Sequence, residues 1–187
     1  DQSRIVGLIV NGKSSQTASE GQNAEVILER SPFYPEGGGQ VGDQGVIHGK
    51  NFRFQVVDTR KPAGLLVHKG VVLEGRMQWG DTGDAQVNSE LRLRTRINHT
   101  ITHVLHATLQ EVLGDHIKQA GSLVNADYLR FDFTHPQALS QLEIDRIETV
   151  VNERIRTNAR VVTAEEEIEK AIAGGAKAFF DEKYGDR

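Results

Sequence analysis

The chain has 187 residues, of which 37% are hydrophobic and 26% charged, a composition that suits one large or two small water-soluble domains. No apolar run approaches the length of a membrane span and no signal peptide precedes the first strand-like segment; the absence of cysteine excludes disulfides and points to a cytoplasmic home. A net charge of −4 excludes a chain-wide electrostatic trap for nucleic acid, so any RNA contact must be local.

Residues 1–88 read as β structure. Short runs rich in β-branched and aromatic residues at 4–10, 24–30, 45–48, 52–58, 65–73 and 84–87 are separated by Gly, Asn, Asp and Pro, which suggests a small barrel or a strongly bent sheet. The single methionine is Met77, and with strand-like sequence starting at once, Asp1 reads as a cut end.

Between two of these strands lies the segment 31–45, Ser-Pro-Phe-Tyr-Pro-Glu-Gly-Gly-Gly-Gln-Val-Gly-Asp-Gln-Gly. Gly37, Gly38 and Gly39 remove every side chain from one stretch of backbone, so a ligand or a second backbone can approach its amides closely. No Gly-Lys-Ser/Thr follows, and the glycine spacing does not fit the dinucleotide fingerprint. Taken alone such a run is more often a tight hairpin or bulge than a binding loop. Tyr34, a stacking surface, and Gln40, an amide that both donates and accepts, make it a candidate pocket wall.

Residues 89–187 change character. Helical periodicity over 89–113 groups Leu93, Ile97, Ile101, Val104, Leu105, Thr108 and Val112 on one arc, expected to be buried, with His99, His103 and His106 opposite. Asn88 or Ser89 can cap the start, and Gly114 sits where a left-handed residue would end the helix. His99 and His103, at i and i+4, place their Cβ atoms about 5–6 Å apart on one face, which suits a single metal ion; the competing reading is a solvated polar face. Thr100 stands where a zincin-type peptidase would need its glutamate base. Arg92, Arg94 and Arg96 form the densest basic cluster, either a local RNA contact or a solvated flank. A strand is predicted at 128–133 and a helix over 140–158, opened by the capping box Ser140-x-x-Glu143 and carrying Ile144, Ile147, Val151 and Ile155 at helical spacing. A short strand at 160–163 and a second box, Thr163-x-x-Glu166, lead to a helix expected to stop at Gly174 and Gly175. The fold class read from these elements is α+β: a small β-barrel-like subdomain over 1–88, then a core over 89–187 with helices packed on an antiparallel sheet.

The glycine segment, Asn98-His-Thr-Ile-Thr-His-Val-Leu-His106, Gln119-Ala-Gly-Ser-Leu-Val124, Leu129-Arg-Phe-Asp-Phe133 and the closing run 180–187 together resemble the editing domain of alanyl-tRNA synthetases, in order and over nearly the whole chain. Freestanding alanyl-tRNA editing proteins and the threonyl-tRNA synthetase editing domain share the His-x-x-x-His element. The resemblance implies hydrolysis of Ser-tRNA(Ala) or Gly-tRNA(Ala) at the aminoacyl ester, with Ala-tRNA(Ala) spared, and the acceptor end of tRNA(Ala) as partner. It implies a parent protein that ligates alanine to tRNA(Ala) with ATP, its catalytic domain upstream of Asp1. It implies zinc held by His99 and His103 together with a cysteine and a histidine from a Cys-x-x-x-His motif expected beyond Arg187. Within the chain as it stands, the histidine pair is therefore expected to be close together, exposed and without tightly held zinc. Gln119 matches a glutamine implicated in editing, Gly37, Gly38, Gly39 and Gln40 match a motif bordering the substrate pocket, and His106 and His116 are outside the ligand pattern. A freestanding deacylase, a noncatalytic module that binds the tRNA acceptor end, and a metal-independent structural domain are the alternatives.

Overall fold

The computed structural model describes residues 2–162 and 164–175, which fall into two compact units. Unit 1 comprises residues 1–99 and 123–128, and unit 2 residues 100–122 and 129–187.

Unit 1 is built from β1 (Gln2–Val10), β2 (Lys13–Ser14), β3 (Thr17–Ser19), β4 (Asn23–Leu28), β5 (Gly45–Gly49), β6 (Phe52–Arg60), β7 (Val67–Gln78) and β8 (Thr82–Val87). Six of them close into an antiparallel barrel in the order β1-β4-β7-β6-β5-β8, with β8 returning to β1 through Gln2↔Asp84 and Ser3↔Gly83. Closure leaves the barrel no edge to protect. The strands alternate in burial as a one-sided core requires, and Ile5, Leu8, Val26, Phe54, Val56, Val72 and Met77 fill the interior. β2 folds back on β1, and β3 pairs with the end of β7 through Ala18↔Met77. These two short strands were not legible in the sequence, because two or three residues carry no measurable period.

Helix α1 (Ser89–Leu113) follows directly, with the Asn88 side chain accepting from the Leu91 amide at 3.1 Å and Gly114 taking a positive φ at its end. The helix ends match expectation; its buried face does so only in part. Leu93 and Ile97 are 55% and 53% exposed, whereas Thr95, Thr102 and His106 are buried; further along, Leu105, Thr108 and Val112 of the expected arc are packed inward as predicted. A helical threonine can be buried with its polar atom satisfied: Thr108 Oγ1 donates to Val104 O, four residues back, at 2.8 Å and accepts from Arg154 Nη1 at 2.9 Å.

Unit 2 contains the second part of α1, the start of β9 (Gln119–Val124), β10 (Leu129–Phe133), α2 (Gln141–Arg156) and α3 (Ile168–Ala173). Leu109, Ile117 and Ile147 form its core, joined by Leu105, Val112, Phe131, Phe133 and Val151. The capping box of α2 is present: Ser140 N donates to Glu143 Oε2 at 2.8 Å, and Glu143 N to Ser140 Oγ. The Ser140 hydroxyl, donating to Glu143 Oε2 at 2.7 Å, and the Ser140 amide hold the Glu143 carboxyl below its usual range. Val150 and Ile147 are the buried positions of α2, while Ile155 is 47% exposed. No strand forms at 160–162, where Val161 and Val162 are exposed and no described strand pairs with them. Thr163, and with it the second capping box, lies outside the described residues, as does the run 180–187; α3 stops before Gly174.

One buried ionisable group sits inside the barrel wall. His68, on β7, donates from Nδ1 to Val26 O at 2.9 Å and places Nε2 2.6 Å from Ser31 Oγ, with its ring edge-on to Phe33. Burial pushes its pKa down, opposed by the bond to Val26. The folded state therefore keeps His68 neutral where the unfolded chain has begun to protonate it. This contribution to stability is complete above the ordinary value of 6.5 and shrinks as pH falls below it, until the folded-state value is passed. Urea unfolding measured from pH 8 downward should show stability declining below about pH 6.5, and His68→Gln should be less stable at pH 8 but lack that decline. An unchanged pH slope in the variant would rule out His68 as its source.

Candidate functional site

The glycine segment is tied at both ends and in the middle to the rest of unit 1. The buried Asp43 carboxylate accepts from Tyr34 N at 2.7 Å and from the Arg92 guanidinium, while Asp43 N donates to Tyr34 O at 2.9 Å. Arg92 also donates to Pro32 O at 2.7 Å, so one α1 side chain grips the segment at two points. Thr59 Oγ1 on β6 donates to Asp43 O at 2.8 Å, and Thr59 O accepts from Glu36 N at 2.8 Å. At Gly42 the backbone presses so close to β6 that a Cβ would lie 2.1 Å from Thr59 O.

Inside this frame the three glycines form a tight turn. Gly37 N donates to Gln40 O at 3.1 Å and Gln40 N to Gly37 O at 2.9 Å, with Gly38 and Gly39 between them at φ 58° and 78°. Two consecutive positive φ values are those of a two-residue hairpin turn and strongly favour glycine. The turn is held from the outside by the end of β9, where Val124 N donates to Gly39 O at 2.8 Å and Val41 N to Val124 O at 3.0 Å. The Gln40 side chain then reaches α1, with Oε1 2.6 Å from His99 Nδ1. Tyr34 is 40% exposed and its hydroxyl lies 3.4 Å from Gly37 O, so its ring is presented from the same loop.

Tyr34, Gly37, Gly38, Gly39, Gln40 and His99 thus belong to one connected set in unit 1. His103 and Gln119 belong to unit 2. His103 lies one helical turn beyond His99 on α1. Both histidines are half-buried rather than exposed as expected, His99 because the glycine turn has been brought against it. Gln119, at the start of β9, donates from Nε2 to Ser122 Oγ at 3.3 Å; its Oε1 is buried and has no hydrogen-bond partner among the described residues. His106 is buried against Phe131 at 4.9 Å between ring centroids, a packing role, and His116 is exposed with Nε2 3.0 Å from His135 Nδ1. The apolar groove of unit 2, about 370 Å³ and lined by Leu105, Leu109, Phe131, Phe133 and Ile144, includes none of the expected site residues.

The basic cluster is largely committed to structure: Arg92 to the glycine segment, and Arg94 to Asp127 at 2.7 Å in the turn after β9. Sequence reading missed Asp43, Thr59 and His68, whose spacing from their partners along the chain carries no signal. The Gly42 constraint was hidden in the same way. Gly42→Ala is expected to lower stability by about 1–3 kcal/mol in urea unfolding, whereas Gly37→Ala, with no positive φ and nothing nearer than 3.8 Å to its Cβ, should be close to neutral. Equal effects from the two substitutions would contradict this geometry.

Residues 1–91 match the family described as tRNA synthetases class II (A). Across 98% of its length the chain is 46% identical to an alanine–tRNA ligase of Leptospira biflexa, of which it covers 20%. It is 45% identical over 99% of its length to the alanine–tRNA ligase of Desulfosudis oleivorans and 44% identical over 99% to that of Pseudomonas entomophila, covering 21% of each. Nearly end to end, the chain corresponds to one region of an alanine–tRNA ligase, about a fifth of the length of the relatives it matches.

Proposed function

We propose that this region is the editing part of an alanine–tRNA ligase, and that it hydrolyses the aminoacyl ester of Ser-tRNA(Ala) and Gly-tRNA(Ala) while sparing Ala-tRNA(Ala). The parent protein would ligate alanine to tRNA(Ala) with ATP, in the cytoplasm. The observation that carries the reading is the hydrogen bond from His99 to Gln40 of the glycine turn, in a chain that corresponds nearly end to end to a region of these ligases.

The reading includes zinc, and the donors present fit part of such a site. His99 and His103 supply two imidazoles from adjacent turns of α1, half of a tetrahedral set; among the described residues no group of three or more His, Asp or Glu gathers around a point. Zinc at this pair would lower the pKa of a bound water or hold the substrate's amino or hydroxyl group as a template.

The protein's own groups do the rest. An aminoacyl ester is already activated, so the main tasks are to place the reacting groups and to meet the charge that develops on the carbonyl oxygen. Exposed Tyr34 offers a face on which the terminal adenine can stack, and the glycine turn, without side chains, lets the ribose ester come close to backbone. Gln119 bears on specificity. An amide that accepts the serine hydroxyl would favour serine over alanine, whose methyl would leave such an acceptor unpaired.

The test is deacylation of Ser-, Gly- and Ala-tRNA(Ala) by an alanine–tRNA ligase chain that contains this region. His99→Ala and His103→Ala should each abolish both deacylations. Gln119→Leu should slow Ser-tRNA(Ala) hydrolysis by about 10- to 100-fold, on the scale of one lost buried hydrogen bond, and Gly-tRNA(Ala) hydrolysis much less. A zinc-loaded protein that binds tRNA yet leaves Ser-tRNA(Ala) intact would overturn the hydrolase reading in favour of a noncatalytic acceptor-end module.

A further inference from the structure

We infer that Gln40 is a positioning residue for His99: it holds the imidazole as the Nδ1–H tautomer, so that Nε2 is the nitrogen presented to a metal. The metal half of this inference rests on the zinc reading above; the tautomer half stands on unit 1 alone.

The chemistry follows from the contact. Gln40 Oε1 is a carbonyl oxygen and only accepts, so at 2.6 Å from Nδ1 it requires the proton to sit on Nδ1. A neutral imidazole carries one ring proton, and placing it on Nδ1 puts the in-plane lone pair on Nε2. A hydrogen bond from the nonligating nitrogen to an oxygen acceptor is the usual outer support of a metal-bound histidine, where it fixes both tautomer and ring orientation.

The surrounding backbone has the rigidity this role needs. The two reciprocal bonds between Gly37 and Gln40 fix the residue from one side, and those of Gly39 and Val41 to Val124 fix its two neighbours from the other. Gln40 therefore keeps only its side-chain torsions, and one end of the side chain is anchored on His99. Seen this way, the run of glycines has a second use besides leaving room for a ligand. The turn with Gly38 and Gly39 at positive φ is what reverses the chain within two residues and aims Gln40 at α1. The Asp43–Arg92 pair ties the same loop to the same helix, so donor and acceptor are set by one continuous frame: helix, guanidinium, carboxylate, loop and amide.

Two readouts test this, neither of which needs turnover. The first is nitrogen-15 NMR of the histidine rings in the metal-free 187-residue chain at mildly alkaline pH, with the His99 signals assigned by their loss in His99→Phe. The wild type should show the Nδ1–H tautomer. Gln40→Leu should lose it, and Gln40→Glu, which keeps an acceptor oxygen, should retain it. A wild-type His99 in the Nε2–H form, or a tautomer unmoved by Gln40→Leu, overturns the inference. The second is calorimetric titration, with Zn2+ alone, of an alanine–tRNA ligase chain that contains this region and the Cys-x-x-x-His motif expected beyond Arg187. Gln40→Leu should weaken binding by about 10- to 100-fold and Gln40→Glu should restore most of it, at unchanged unfolding midpoints. Zinc affinity indifferent to Gln40→Leu overturns the metal half. A 187-residue chain that shows the Gln40-dependent tautomer, together with a longer ligase chain carrying all four expected ligands that takes up no zinc, sinks the zinc reading and leaves the positioning of His99 supported.

Discussion

The buried carboxylate of Asp43 is the point at which unit 1 is held in register. It receives the Arg92 guanidinium from α1 and the Tyr34 amide from the start of the loop, while its own backbone is bound by Thr59 of the barrel. An ion pair with one partner buried and the other half-buried contributes little net stability once its desolvation is counted, because the attraction mainly offsets the cost of taking the carboxylate, and part of the guanidinium, out of water. What such a pair supplies is discrimination. Slipping the loop by one residue would strand a carboxylate and a guanidinium without partners, a penalty an apolar contact does not impose. Helix, loop and barrel are thereby restricted to one mutual arrangement within unit 1.

That restriction matters because the loop is poorly suited to order itself. Glycine loses more backbone freedom on folding than any other residue, and three in a row make the segment expensive to fix. Its order must come from outside, and the hydrogen bonds are distributed accordingly: Ser31 to His68 at the entrance, Glu36 to Thr59 next, Gly39 and Val41 to Val124 in the middle, and Asp43 at the exit. A segment that composition alone would class as mobile thus becomes a mount with little remaining freedom. The barrel's closed topology is what makes this possible, since β4, β6 and β7 present Val26, Thr59 and His68 from fixed registers.

Local pattern carried much of the fold. Runs rich in β-branched and aromatic residues, bounded by Gly, Asn, Asp and Pro, located the six barrel strands, missing only the last part of β7; the capping box marked the start of α2, and Asn88 and Gly114 marked the ends of α1. The chemistry-bearing residue types were visible too, since i, i+4 histidines and a glycine run stand out in any sequence. What could not be read was which groups face one another. Gln40 and His99 are joined by a contact 59 residues apart in sequence, and Asp43 and Arg92 by one of 49, and no local period encodes either. Of the strand expected at 160–163, the described residues 160–162 form none, for the converse reason: two β-branched residues give a propensity, but a strand needs a neighbour to receive its backbone bonds.

The most instructive departure lies on α1. Over its first turns the apolar arc, Leu93 and Ile97, faces outward, and the buried line runs through Thr95, with Thr102 and His106 continuing it further along the helix. Packing energy alone would choose the opposite rotation, because each exposed leucine or isoleucine forgoes the transfer free energy of its side chain. The rotation adopted is the one that brings Arg92 to Asp43 and His99 to Gln40, contacts made by side chains seven residues apart and therefore on the same side of the helix. A sequence that satisfies local rules nearly everywhere, and violates hydrophobic patterning on the one helix carrying its histidine pair, places its local conflict where function is expected to impose one. On this view polar contacts, not apolar area, set the rotation of the first turns of α1, while Leu105, Leu109 and Val112 further along keep an ordinary apolar core.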